Sequence, residues 1–384
     1  MHIGLEATNL RSQRLGGVWR YTESLIGALG RLASPHRYSL LFLNAFKPWA
    51  RVAPPSVPSP ALRLVEVASV SNFLFTFLVP MIPRGWSGVA VESFLGSVDV
   101  FHSVNAAVLP QRHGRRVVTV HDLTCLHLPQ FHPWRRRALF RLGIRRAARL
   151  ADAIIVPSGA TKRDLTAFFP RSEERIRVVP EAPGEQFVPR GRADSMRVLR
   201  RHGLPYHDYL LFVGNVEPRK NLLALIEAYD QLRKRMRSGP RLAIAGGEGW
   251  KNQLIHQAAG ASAFAADIRF LGYVPDAELP ALMSGALAFV YPSIYEGFGL
   301  PPLEAMACGT PVITSNRSSV PEAVGDAALL VDPDDRAALI DAMARIVEEE
   351  PLREGLRERG LKQAQRFSWE ETARLTLRVY EGGS

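Results

Sequence analysis

A chain of 384 residues exceeds what one hydrophobic core usually serves, so two domains of roughly 150 to 200 residues each are expected. Its 47% apolar and 22% charged residues exclude collagen-like, coiled-coil and low-complexity classes. The net charge of +11 is one-sided: residues 1–184 hold 24 of the 48 Lys and Arg but 11 of the 37 Asp and Glu, a surplus of +13, against −2 for the remainder.

In chain order, HIGLEA reads as a first strand. Gly16 and Gly17 precede a helix starting near Val18 and permit close backbone approach of a ligand. After YSLLFLN, the longest apolar run, Phe73 to Ile82, contains a proline and falls short of the ~20 residues that cross a bilayer, leaving core or interfacial placement open. VDVFHS and RRVVTVHD follow, and His121 closes the latter at its carboxyl end, where ligand-binding residues of parallel sheets belong.

From His132 to Asp152, Arg135, Arg136, Arg137, Arg141, Arg145, Arg146 and Arg149 alternate with Leu139, Phe140, Leu142 and Ile144 at helical spacing, giving a basic amphipathic helix. Two readings stand for it, a solvated face over a core-facing stripe or attraction to anionic lipid headgroups. Zinc-finger spacing and aromatic RNA-binding motifs do not accompany the charge, so nucleic acid is not an expected partner. AIIVPS, a helix over GATKRDLTAFF and IRVVPEA complete a βαβ series, which argues for a parallel sheet. Glu181 to Pro205, rich in Pro, Gly and charge, is the expected domain boundary.

A second series follows: YLLFVGN, an amphipathic helix with Leu222, Leu223, Leu225, Ile226 and Tyr229 on its apolar stripe, then RLAIAGG, IRFLGYV with a helix over ELPALMSGA, LAFVYPS with one over PPLEAMA, PVITS, and AALLVD with one over DRAALIDAMARIVEE. Arg219 and Lys220 are placed at the start of that first helix, where cations oppose the dipole and point to a shared anion. In SIYEGFGLPPLEAMACGTPVI, Glu296 to Gly299 read as a loop, Pro301 and Pro302 as a helix start and Gly309 as its stop. The amides of Gly299 and Leu300 then suit a phosphate. Glu304 and Glu296 can each accept hydroxyls of a diol, and two diol receptors bracketing an anion site describe a nucleotide sugar; either alone is equally a dipole-complementing or solvated residue. Neither a P-loop nor a Gly-x-Gly-x-x-Gly after the first strand is present. His121, His127 and His132 lack zinc-site spacing, so no metal is expected, and Asp332-Pro333-Asp334 is read as a helix cap. Cys125 and Cys308 lie far apart and the first residues show no signal-peptide pattern, so a reduced, cytoplasmic home is expected.

Glu296 and Glu304 with seven residues between them, the AMACGTPVI that follows and the PRKN segment before them resemble the retaining glycosyltransferases of family 4. Gly16-Gly17, His121-Asp122, ADAIIVPSGATKRDL, GYVPDAEL and FSWEETA extend the resemblance over essentially the whole chain. It implies an α/β GT-B fold, two facing Rossmann-like domains with parallel sheets and a deep interdomain cleft. An acceptor-side domain over 1–185, a nucleotide-sugar domain over 206–366 and a last helix, 367–384, crossing back to the first are expected.

The resemblance further implies that Glu304 holds the ribose and Glu296 the donor sugar, with Gly297, Phe298, Gly299 and Leu300 around the phosphate. Arg219 and Lys220 neutralise the diphosphate, His121 hydrogen-bonds the sugar near the reacting centre, and Tyr273 and Val274 flank the base. Many members carry an arginine right after the strand-ending glycine, where this chain has Asn215. The EPRKN and HDLTCLHLPQFHP segments look most like the mannosyltransferase branch, so the expected donor is GDP-mannose and the expected acceptor a polyprenyl-diphosphate-linked saccharide of O-antigen or polysaccharide synthesis. The enzyme is then peripheral at the anionic inner face of the cell membrane, with no cofactor. A nucleotide-sugar epimerase of the same fold, or a non-catalytic nucleotide-sugar-binding protein, are the alternatives.

Overall fold

The computed structural model describes residues 1–11, 17–45, 62–69, 90–106 and 108–383. Gly16 and the apolar run Phe73 to Ile82 lie outside the described residues. The chain forms two compact units, one of residues 1–129, 133–181 and 369–384, the other of residues 130–132 and 182–368.

In the first unit, strands β1 (His2–Glu6), β2 (Arg37–Ala45), β3 (Leu62–Ser69), β4 (Val100–Ser103), β5 (Arg115–Thr119), β6 (Ala153–Val156) and β7 (Ile176–Val178) pair in parallel in the order β3-β2-β1-β4-β5-β6-β7. The second unit repeats the plan with β8 (Tyr209–Val213), β9 (Arg241–Ala245), β10 (Ile268–Gly272), β11 (Ala288–Tyr291), β12 (Val312–Ser315) and β13 (Leu329–Val331), ordered β10-β9-β8-β11-β12-β13. Strands buried on both faces need unbroken apolar runs. YLLFV of β8 and AFVY of β11 supply them, every residue being buried.

The order matters for function. From β8 the chain builds toward one edge through β9 and β10, and from β11 toward the other through β12 and β13. The carboxyl ends of β8 and β11 therefore flank the point where winding reverses, the place such sheets open a crevice for ligands. Glycine lets backbones close up here. Gly246 has φ +148°, and a Cβ on it would lie 2.0 Å from the Gly214 carbonyl oxygen, so only glycine fits after β9.

The two units divide between Glu181 and Ala182, within the expected boundary Glu181 to Pro205, and the rest of that segment contains a helix, Arg192–Arg201, and puts Phe187, Val198, Leu199 and Leu204 into the second core. Its few apolar residues sit among arginines, which hides the stripe in the sequence. On the helix Leu222–Lys234, Leu222, Leu225, Ile226 and Tyr229 are buried as expected, but Leu223 is only partly covered. The cap of helix Arg336–Glu348 is Asp335, whose carboxylate accepts from the Ala338 amide at 2.9 Å; Asp332 and Asp334 instead pair with Arg317 at 2.7 Å each. The last helix, Trp369–Tyr380, packs in the first unit, its Tyr380 hydroxyl 2.6 Å from His102 Nδ1.

Candidate functional site

At the switch point of the second sheet, four ions from two loops converge. After β8 the chain makes a single 3-10 turn, Pro218–Lys220, ended by Asn221 in the left-handed region (φ 59°), and only then begins the α-helix. Arg219 and Lys220 therefore stand in this turn and not at the helix N-terminus, and the anion facing them belongs to the protein. Lys220 Nζ donates to Glu296 Oε1 at 2.7 Å, and Arg219 Nη1 lies 2.9 Å from Oε2. Arg219 also grips Glu217 Oε1 at 2.8 Å and donates to the Tyr295 carbonyl at 2.8 Å.

Glu296 is saturated by donors. Ser293 Oγ (2.5 Å) and Tyr291 Oη (3.0 Å) donate to the same Oε1 that Lys220 holds, and Lys220 bonds the Tyr291 hydroxyl in turn. Its loop is clamped on both sides of the peptide, the Glu296 amide donating to Ser318 Oγ at 2.9 Å and its carbonyl accepting from Ser319 Oγ at 2.8 Å. Burial alone would raise the Glu296 carboxyl, but the charges of Arg219 and Lys220 outweigh it and hold the group down at about 2. Burial, with the charge of Arg219, lowers Lys220, against the pull of Glu296 and Glu217. The side chains of Glu296 and Lys220 are 11% and 8% exposed. Burying four ions is a poor way to stabilise a fold, since desolvation consumes most of the Coulomb gain. Such a cluster at a switch point makes this a candidate functional site.

Beside it, Gly299 (φ 114°) opens the helix Leu300–Ala307, with Gly309 in the left-handed region just past its end. The amides of Gly299 and Leu300 donate to nothing among the described residues, as first-turn amides do. The apolar side chains turn inward: Phe298 packs edge-on to Phe367 at 5.6 Å, and Leu300 and Val274 are buried. Only the backbone of Gly297 to Leu300 can therefore face an anion. Glu304 lies one turn into the helix and is 1% exposed. Tyr273, just past β10 on the same carboxyl edge, is 53% exposed.

Sequence reasoning missed Glu217, Tyr291, Ser293, Ser318 and Ser319. Glu217 Oε2 is buried without a hydrogen-bond partner among the described residues. A carboxylate one residue before Pro-Arg-Lys was the available signal; the serines gave none.

The first unit contributes separately. Gly17 begins its first helix, Gly17–Arg31. His121 Nδ1 faces Glu181 Oε1 at 3.0 Å and Nε2 faces the Val104 carbonyl at 2.9 Å, while Tyr21 packs edge-on at 4.6 Å. Both ring nitrogens face acceptors, so this setting favours the doubly protonated ring. Burial would lower its pKa, but the hydrogen bond and charge of Glu181 prevail and raise it. A raised folded value means that this pair stabilises the unit fully below the unfolded value of 6.5 and less as pH rises through the folded one. His102 is the opposite case. Fully buried between Thr119 and Tyr380, it is lowered to about 3 by desolvation and stays neutral. Glu6, at the carboxyl end of β1, is 2% exposed and pushed up to about 7 by burial. The three histidines of the sequence reading part company: His127 pairs with Asp164 at 3.3 Å, and His132 lies against Trp250.

Residues 201–363 match the family described as Glycosyl transferases group 1, and residues 15–182 that described as Glycosyltransferase Family 4. O-antigen chain mannosyltransferase B of Escherichia coli is 37% identical over 282 residues, covering 73% of this chain and 74% of that protein. Among solved structures, sucrose-phosphate synthase from Thermosynechococcus elongatus aligns with a TM-score of 0.77 and 21% identity, over 99% of this chain and 98% of that one. Anabaena Alr3699/HepE in complex with UDP and glucose aligns with a TM-score of 0.71 and 17% identity over 100% of both chains.

Proposed function

Because this chain belongs to glycosyltransferase family 4 and has the GT-B fold, we propose that it moves mannose from GDP-mannose to a lipid-linked saccharide with retention of anomeric configuration. The observation that carries the reading is the pair of buried Lys220 and largely covered Arg219 at the switch point, beside the free amides of Gly299 and Leu300. In transfer, the bond from the sugar anomeric carbon to the diphosphate oxygen breaks and negative charge gathers on the diphosphate. The acceptor oxygen bonds to that carbon on the same face, and its proton passes to a phosphate oxygen of the leaving group. Cations and amides that have taken up the diphosphate on donor binding stabilise that charge without reorganising in the transfer step, which is where the largest catalytic effect is expected.

Glu296 keeps the two cations apart from solvent and in place until the diphosphate competes for them. Glu304 then receives the ribose and Tyr273 and the Val274 backbone flank the base, while His121 reaches the sugar by turning one of its ring N–H groups from Glu181 or the Val104 carbonyl to a sugar hydroxyl. Similarity to the O-antigen chain mannosyltransferase supports mannose as the sugar and cell-surface polysaccharide as the product. The UDP and glucose bound by HepE support a nucleotide-sugar donor. No described helix is long and apolar enough to cross a membrane; the surplus of +13 in residues 1–184 supports peripheral attachment to an anionic inner leaflet.

Incubating the purified protein with a panel of nucleotide sugars and no acceptor tests the donor. Slow hydrolysis of GDP-mannose above all others is expected. Preference for a UDP-sugar would replace the donor, and hydrolysis of none would remove the transfer reading.

A further inference from the structure

The helix Trp134–Leu150 has two working faces. One, with Ile144, Ala147 and Ala148, is buried in the first core. The other carries Trp134, Arg137, Arg141, Leu142 and Arg145, successive at helical spacing, and lines a groove of about 910 Å³ that Phe168 also lines. The three arginines follow one another in backbone position at about 6 Å along the helix axis. They are exposed, have no carboxylate partner among the described residues, and no Asp or Glu lines the groove. Trp134 at its end is 71% exposed, with the Arg135 guanidinium 5.3 Å above its ring, and Phe168 is 43% exposed.

Exposed large aromatics are costly on a surface that meets only water, and a row of unpaired cations beside an apolar floor is complementary to an amphiphile with an anionic head. A Trp and a Phe next to arginines are what the headgroup layer of a bilayer accommodates, ring in the interface and charge on the phosphates. We propose that this groove seats one anionic phospholipid of the bilayer, its phosphate on Arg137, Arg141 and Arg145 and the upper part of one hydrocarbon chain along Leu142, Trp134 and Phe168. The seat deepens the lipid-linked acceptor reading, on which its purpose rests, by naming the surface that holds the enzyme at the membrane. It is lined by residues with no part in donor binding.

Co-sedimentation of the full chain with vesicles tests it, using phosphatidylcholine alone and phosphatidylcholine with phosphatidylglycerol, at low and high salt. The wild type is expected to bind the anionic vesicles, with part of the binding surviving high salt, where charge attraction is screened within about 3 Å. Each arginine removed should cost about fivefold at low salt, so Arg137→Gln, Arg141→Gln and Arg145→Gln together on the order of 100-fold. Trp134→Ala with Phe168→Ala should keep the low-salt attraction and lose the salt-resistant part. Hydrolysis of GDP-mannose should be unchanged in both. Equal binding to neutral vesicles, or variants that bind like wild type, overturns the proposal, as does capture of an acidic amphipathic peptide without vesicle binding. Vesicle binding that holds while the wild type hydrolyses no nucleotide sugar leaves the groove standing and removes the transfer reading alone.

Discussion

Lys220→Ala protein turns over its donor roughly 100- to 1000-fold more slowly than wild type, the usual loss when one preorganised donor to a developing anion is removed. The reason lies in its surroundings. Lys220 is buried, its ammonium fixed between Glu296 Oε1 at 2.7 Å and the Tyr291 hydroxyl, with the Tyr291 ring 4.8 Å away. Once the bound donor has displaced Glu296 from it, an ammonium so held is already in place when charge appears on the leaving diphosphate, and water replacing it in the variant would have to reorient. Arg219 remains on Glu296 at 2.9 Å, so the variant keeps one cation and a residual rate. Donor hydrolysis and transfer kinetics, with circular dichroism to establish folding, measure the effect. A folded variant with near-normal turnover removes Lys220 from the mechanism.

Glu296→Gln has the largest expected effect on stability. The amide cannot neutralise Lys220, and Glu217 is left as the counter-ion of Arg219 alone; breaking a buried ion pair typically costs about 3 to 5 kcal/mol. The acid dependence gives a second readout. With the Glu296 carboxyl brought from 4.5 to about 2, its ionisation contributes on the order of 3 kcal/mol to the folded second unit. The shift is downward, so that contribution is present above the unfolded value and is lost as pH falls from about 4.5 to 2. Urea unfolding of the second unit across this window should show wild type losing the stability and the Gln variant, already without it, flat by comparison. Parallel curves for the two proteins would mean that Glu296 is not the counter-ion of the two cations.

Much of this arrangement was legible because it follows from period and punctuation. The all-buried runs YLLFV and AFVY, the glycines that end β8 and the helix Leu300–Ala307, and the paired prolines at that helix start each have a local cause. What stayed hidden depends on neighbours far apart in sequence. Glu296 as a free loop carboxylate and Arg219 with Lys220 as free cations were separately reasonable; their pairing required β8 and β11 to lie side by side at the reversal of strand order. Ser293, Ser318 and Ser319 clamp the Glu296 loop through hydroxyls whose partners no pattern announces. The helix Arg192–Arg201 escaped because four of its ten residues are arginine and its buried contribution is Ser195, Val198 and Leu199.

The central claim is that Arg219 and Lys220 exchange the carboxylate of Glu296 for the diphosphate of a nucleotide sugar. Isothermal titration of GDP into the wild type and into folded Lys220→Ala tests this without any turnover. Loss of one charge-assisted hydrogen bond should weaken GDP binding by roughly 10- to 100-fold in the variant. GDP bound equally tightly by both proteins, or by neither, would contradict the claim.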